Sequence, residues 1–160
     1  MVRDAIQSDA KQIAEIYNYY ILNTVATFEK EPVSETEMMG RIKSIPINFP
    51  YLVFEEKNEV LGYAYSVNWR AREAYKQSAE ISVYLKNGAS GMGIGSALYS
   101  ELINRLKAQK IHAIIGGISL PNSASVALHE KFGFEKVAHF KEVGFKFNQW
   151  IDTGYWELIL

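Results

Sequence analysis

The chain has 160 residues, 48% hydrophobic and 22% charged, with 17 basic against 18 acidic side chains and no cysteine. This balance suits an ordinary globular domain and argues against a dedicated nucleic-acid binder, which carries a basic patch or stripe. The missing cysteine excludes disulfide scaffolds, thiolate metal sites and a cysteine nucleophile. The length predicts one domain over residues 1–160. No apolar run approaches a membrane span and the first residues lack a secretory pattern, so the expectation is a cytoplasmic protein with no membrane partner.

Val2 to Ile6 reads as a short strand, and Ser8 is placed to cap a helix with Asp9 in its first turn. Ile13, Ile16, Tyr17, Tyr20 and Ile21 recur at helical spacing. Thr24 to Glu29 breaks that pattern and carries Phe28. Ser34 with Glu37 makes a capping-box signature for a second helix ending near Ser44. Tyr51–Phe54 and Val60–Trp69 read as a hairpin, followed by a polar connection from Arg70 to Gln77. From Ser78 to Lys86 the sequence alternates, with Ala79, Ile81, Val83 and Leu85 on one face and Glu80, Ser82, Tyr84 and Lys86 on the other.

The stretch Gly88-Ala-Ser-Gly-Met-Gly-Ile-Gly-Ser96 lies between this strand and an amphipathic run with Leu98, Leu102 and Leu106 in an i, i+4 row. Glycines at a helix start let backbone N–H groups approach an anion closely, which suits a diphosphate, although a plain tight turn fits the same residues. A kinase-type phosphate loop would need a Gly-Lys-Ser/Thr sequence that this stretch lacks. Ala113 to Leu120 is a near-continuous apolar strand suited to a sheet covered on both faces. Pro121 ends it, Asn122 can cap a helix running to Phe132, and Gly133 can terminate that helix. Phe134–Phe140 and Ile151–Leu160 read as closing strands. The element order β-α-α-β-β-β-α-β-α-β-β implies an α/β fold of the α+β type. The aromatic load, with ten Tyr, eight Phe and three Trp, is expected mostly in the core, with a remainder for a pocket or subunit contact.

Taken in order, Glu80-Ile-Ser-Val-Tyr-Leu85, Gly91-Met-Gly-Ile-Gly-Ser96, Pro121-Asn122 and Leu128-His-Glu-Lys-Phe-Gly-Phe134 resemble the GCN5-related N-acetyltransferases (GNAT). The closer resemblance is to the phosphinothricin and methionine sulfoximine acetyltransferase branch. It rests on Ile16-Tyr-Asn18, Arg72, Tyr75, Ser96-Ala-Leu-Tyr99, His129-Glu130 and Val143-Gly-Phe-Lys146 before Trp150 and Asp152. The resemblance implies a central mixed, mostly antiparallel sheet flanked by about four helices. It also implies acetyl transfer from acetyl-CoA to a small amino-acid-like amine by direct attack in a ternary complex, with no metal and with a homodimer as the assembly. A different amine (a protein N-terminus or a polyamine) and a CoA-binding module without turnover are the alternatives.

The same resemblance assigns the cofactor's diphosphate to Gly91, Met92, Gly93, Ile94, Gly95 and Ser96. Its pantetheine arm falls to the strand at Val83, Tyr84 and Leu85 and to Asn122 and Ser125. The family's loop usually opens with Arg or Gln, and Ser90 stands there instead, which predicts weaker cofactor binding. Glu80 matches the general base, since acetyl transfer needs a deprotonated amine. Alternation alone favours reading Glu80 as a solvent-facing strand carboxylate, and it is the resemblance that makes it the base. His129 matches the acid/base position, and helical spacing puts Asn122, Ser125, His129 and Phe132 along one side of their helix. Phe28, Arg72, Tyr75 and Lys146 match the acceptor pocket, with Lys146 reaching the pocket of a partner subunit.

Overall fold

The computed structural model describes residues 1–160. The elements in chain order are β1 (Val2–Asp4), α1 (Ala10–Asn23), α2 (Glu35–Ser44), β2 (Tyr51–Glu56), β3 (Glu59–Asn68), β4 (Ser78–Leu85), α3 (Ile94–Ala108), β5 (Ala113–Leu120), α4 (Ser123–Lys131), β6 (Glu135–Lys146) and β7 (Gln149–Ile159). Single 3-10 turns occupy Gln7–Asp9 and Glu73–Tyr75. The order and the number of elements are those expected from the sequence. One sheet holds all seven strands in the order β1-β2-β3-β4-β5-β7-β6. Only the β4–β5 pair is parallel; every other neighbour is antiparallel.

Two cores lie on the two faces of this sheet. Beneath α3, Leu98, Leu102 and Leu106 are fully buried against Ala79, Ile81, Ile114 and Trp156, with Val126 and Leu128 of α4 and Phe132 just after it packed at the margin. Each such leucine stabilises the fold by roughly 1.5–3 kcal/mol relative to an exposed one. On the other face, Ile13, Ile16, Tyr17 and Ile21 of α1 and Met38 of α2 cover Val53, Val60 and Tyr63, with Tyr65 and Tyr84 alongside. The rings of Tyr51, Tyr63, Tyr65 and Tyr84 stack there at centroid distances of 5.2–6.2 Å. Strand alternation therefore sends β4's even-numbered side chains toward α1 and α2 and its odd-numbered ones toward α3 and α4.

Local chemistry explains most of the ends. The Ser34 hydroxyl accepts from the Glu37 amide at 3.1 Å and caps α2. Asn122 Oδ1 accepts from the Ser125 amide at 3.1 Å and caps α4, and Gly133, at φ +86°, follows the end of that helix. Ser8 does not cap α1. The helix begins at Ala10 after a 3-10 turn, and it is Asp9 whose carboxylate folds back onto the Ile6 amide (2.8 Å) and the Arg3 guanidinium (2.7 and 2.9 Å).

The β6–β7 hairpin is longer than Phe134–Phe140 and Ile151–Leu160. A bulge between Phe140 and Gly144, with Glu142 at φ 52°, shifts the alternation, and pairing then resumes to Lys146–Gln149. Phe147 and Asn148, both with positive φ, make the two-residue turn that such hairpins favour.

Pairing between β4 and β5 covers only Ser78–Glu80 against Ala113–Ile115, although β4 runs to Leu85 and β5 to Leu120. Beyond that point the two strands separate, and the middle of the sheet opens as a fork.

Candidate active site

A cavity of about 270 Å³ fills the fork. Its walls are Ile81 to Leu85 on β4, Gly117 to Ser119 on β5, Asn122, Ser125, Leu128 and His129 around α4, and Tyr20 and Tyr99 from α1 and α3. Because neighbouring strands normally satisfy each other's backbone groups, separated strands leave polar edges for something else to occupy. At the outer end the Tyr20 hydroxyl accepts from the Leu85 amide (3.2 Å) and donates to its carbonyl (2.7 Å). Leu85's backbone, expected to meet an extended ligand, is thus held by Tyr20. By the two-residue period the same groups of Val83 and Ile81 face the fork.

The glycine stretch forms the rim. Gly91 and Gly93 have φ of +80° and +78°, a conformation costly for any residue with a Cβ, and space above both is open. Gly93 is the N-cap of α3, so the first amides of a fifteen-residue helix point out of this rim. Gly95 has a packing role: a Cβ there would lie 3.3 Å from Leu128. Met92 is exposed. Ser90 leaves the rim without a basic residue of its own, but α4 supplies one, since Lys131 Nζ donates to Ser96 Oγ at 2.9 Å.

Glu80 and His129 reach the fork from opposite faces of β5, each above a glycine. A Cβ on Gly117 would lie 3.6 Å from Glu80 Oε1 and 3.1 Å from the Tyr155 ring. A Cβ on Gly116 would overlap the His129 imidazole, with Cδ2 at 2.7 Å. Glu80 is half-buried on the face of α1 and α2. Burial pushes its carboxyl above the ordinary carboxylate range, and the Arg70 guanidinium draws it part of the way back.

His129 is 3% exposed, not the partly exposed helix histidine that its position alone allows. Its Nδ1 lies 2.7 Å from the Ser125 carbonyl and its Nε2 3.0 Å from the Tyr99 hydroxyl. A carbonyl only accepts, so Nδ1 carries the proton and Nε2 accepts from the Tyr99 O–H. Burial lowers the His129 pKa, which the bond to Ser125 partly opposes. Burial likewise raises that of Tyr99. The pair is a neutral imidazole backed by a neutral phenol. Asn122 and Ser125 join His129 on the cavity wall, whereas Phe132 packs into the core beneath α3.

The four acceptor-pocket candidates separate into two groups. Phe28 covers Gly144, whose Cβ would overlap the ring, and Lys146, 2% exposed, donates from Nζ to the Thr27 carbonyl at 2.8 Å. Lys146 is thus held within its own chain. Together these contacts fasten the segment after α1 across the sheet face that carries Glu80. That segment is held from its other side by the Tyr17 hydroxyl on Thr27 Oγ1 (2.8 Å) and on Glu29, and by Arg41 on Glu29 at 2.6 and 2.9 Å. Arg72 and Tyr75 sit in the exposed turn before β4. Arg70, which the sequence left in a nondescript polar connection, is the cation that acts on Glu80, with its guanidinium 4.8 Å over Trp69.

Tyr99, Lys131 and the pair Gly116-Gly117 were not singled out from the sequence for a site. Tyr99 and Lys131 read as helix residues, and two glycines inside an apolar strand were the one available signal, since such glycines mark close approach by another group.

The acetyltransferase (GNAT) domain family matches residues 2–154. The chain is 40% identical to a phosphinothricin N-acetyltransferase of Streptomyces coelicolor, over 98% of this chain and 94% of that protein. It is 33% identical to an L-methionine sulfoximine/L-methionine sulfone acetyltransferase of Salmonella typhimurium, over 99% and 94%. Among solved structures, a GNAT superfamily phosphinothricin acetyltransferase from Sinorhizobium meliloti in complex with acetyl-CoA superposes with a TM-score of 0.96 at 42% identity, covering all of this chain and 88% of that one. With its forked mixed sheet and glycine-capped α3, the chain belongs to the GNAT family and is an N-acetyltransferase.

Proposed function

We propose that the enzyme moves acetyl from acetyl-CoA to the amino group of a small amino-acid-like acceptor of the phosphinothricin or methionine sulfoximine type, by direct attack in a ternary complex. One observation carries this reading: Glu80 and His129 stand on opposite faces of β5 where one fork begins to open. A base for the incoming amine and a proton donor for the outgoing thiolate are needed on opposite sides of a transferring acetyl group.

Acetyl-CoA fits the residues present. The open rim at Gly91 to Ser96 offers helix-start amides to a diphosphate, Lys131 adds a cation at Ser96, and the Val83 edge and Asn122 flank the arm. Asn122 uses Oδ1 for its cap, so its amide nitrogen is the group turned to the cofactor. When bound, acetyl-CoA supplies the acetyl group and a thiol leaving group. Glu80, with its pKa raised, accepts a proton from the ammonium directly or through water. His129 holds Tyr99 in a fixed hydrogen bond at the other face; this pair hands a proton to the departing sulfur and regains one from the second proton that the nitrogen sheds as the amide forms, so it ends as neutral as it began. With no cysteine in the chain, there is no cysteine thiol to carry the acetyl group on the way.

The acceptor lies on the Glu80 face, beneath the segment that Phe28 and Lys146 secure, with Arg70, Arg72 and Tyr75 at its edge. The 160 residues act as one catalytic domain, in the cytoplasm, without metal. Phe140, Val143, Phe145 and Trp150 are 43–63% exposed on the β6–β7 hairpin, an apolar surface suited to a second copy of the chain in a homodimer.

Thiol release from acetyl-CoA across an amine panel tests the reading. Release with phosphinothricin, methionine sulfoximine or methionine sulfone supports it. Release confined to peptides or polyamines, or tight acetyl-CoA binding without release, overturns it.

A further inference from the structure

Thr153 is 8% exposed, and its Oγ1 is buried with no hydrogen-bond partner in the protein. A buried hydroxyl left in this state is costly, and such groups call for an explanation. Its place in the sheet supplies one. Thr153 on β7 is directly paired with Ser119 on β5, and two residues nearer the base of the fork Gly117 is paired with Tyr155. Directly paired residues, and residues two apart, share a face. Ser119 and Thr153 therefore stand on the same face as Gly117 and the Glu80 carboxylate above it. Ser119 is itself on the cavity wall, and Thr153 stands immediately behind it.

We propose that Ser119 and Thr153 form a two-hydroxyl rung that reads the oxygen-bearing end of the acceptor, with Ser119 touching the acceptor and Thr153 positioning it. This rests on the acceptor assignment made above. Two residues along a strand span about 6.6 Å, so the rung lies about that far from the point on β5 where Glu80 sits. An acceptor whose amine meets Glu80 therefore brings to Ser119 whatever lies four bonds further on. In phosphinothricin and methionine sulfone that atom is a phosphorus or sulfur bearing oxygens, which accept hydrogen bonds. In methionine it is a bare thioether, a weak acceptor. Cross-strand Ser–Thr pairs are hydrogen-bonding partners. Thr153 can turn its hydroxyl onto Ser119 Oγ by a change of one χ1 rotamer, leaving the Ser119 proton directed at the acceptor.

Thr153→Val keeps the shape and removes the hydroxyl, Thr153→Ser keeps the hydroxyl, and Ser119→Ala removes the direct contact. The measurement is KM and kcat for methionine sulfone and for methionine, at saturating acetyl-CoA, together with the melting temperature. The wild type favours the sulfone. In Thr153→Val and Ser119→Ala the sulfone KM rises about tenfold, corresponding to one lost hydrogen bond. The methionine KM and both kcat values stay within twofold, and Thr153→Ser restores the preference. Thr153→Val also melts at a higher temperature, because the unpartnered hydroxyl is gone. A sulfone-to-methionine KM ratio unchanged in Thr153→Val and Ser119→Ala overturns the rung while leaving the acceptor assignment intact. A wild type that acetylates neither compound overturns the acceptor assignment and the rung with it.

Discussion

Glu80 owes its raised pKa to burial in a sheet whose neighbouring strand has no side chain at Gly117, and this gives the proposed base two separable signatures. For catalysis, Glu80→Gln lowers kcat by about 10²–10⁴-fold with acetyl-CoA affinity nearly unchanged. The acid limb of the kcat/KM profile also disappears, which steady-state rates across pH would show. For stability the sign is set by the direction of the shift. A carboxyl whose folded pKa lies above its unfolded one favours folding while protonated, and that contribution is lost as pH rises through the folded pKa. Glu80→Gln is therefore more stable than wild type at neutral pH, by a margin that shrinks below the ordinary carboxylate range; melting curves at both pH values would check this. His129 has the opposite shift for a base. Its neutral form is the one built into the fold, so its contribution is present above its unfolded pKa and lost as pH falls through the lowered folded one. His129→Phe and Tyr99→Phe both reduce kcat, and the double variant costs little more than the worse single one, because the two groups act as a unit. Additive losses in kcat would separate them.

At the scale of elements, the α3 entry does two things at once. Positive φ at Gly91 and Gly93 shapes the rim, and its open space admits an anion. Gly93→Asp disturbs both, so Gly93→Ala is the control: it carries the backbone strain without the charge. The account expects Gly93→Asp to weaken acetyl-CoA binding well beyond Gly93→Ala in a titration at low salt. Lys131→Ala is expected to weaken it severalfold, with the effect fading as salt screens the charge. The rim also marks where reading from sequence stops. Alternation and helical period locate all seven strands and four helices, since those patterns follow directly from which faces are buried. Glu80, Asn122, Ser125 and His129 were legible because they sit in an ordered motif. Lys131 was not, since its meeting with Ser96 joins residues 35 apart in the chain. Nor was Leu85's occupation by Tyr20, a contact made across 65 residues. The β6 bulge hid half of a hairpin by breaking the two-residue period, and Asp9 displaced Ser8 as the organiser of α1 because Arg3 was near enough to hold it.

For the whole molecule, β6 is a twelve-residue edge strand that is largely exposed; its charged residues guard part of it, but Val137, Phe140, Val143 and Phe145 are exposed between them, and exposed apolar groups on a free edge are a liability unless covered. The homodimer proposed above covers it. Trp150→Glu is expected to shift the protein toward monomer in sedimentation velocity, with the sheet and its melting behaviour otherwise preserved; a wild type that is monomeric at micromolar concentration would remove the dimer. Under the proposed function the two faces of the sheet have distinct work, with acetyl-CoA held by α3 and α4 and the acceptor received on the face of α1, α2 and the hairpin. The most direct measurement of that arrangement is thiol release by wild type and Glu80→Gln with methionine sulfone, alongside acetyl-CoA binding by both. The account predicts rapid release by the wild type, a loss of about 10²-fold or more in the variant, and equal acetyl-CoA affinity. Equal turnover by the two proteins would contradict it.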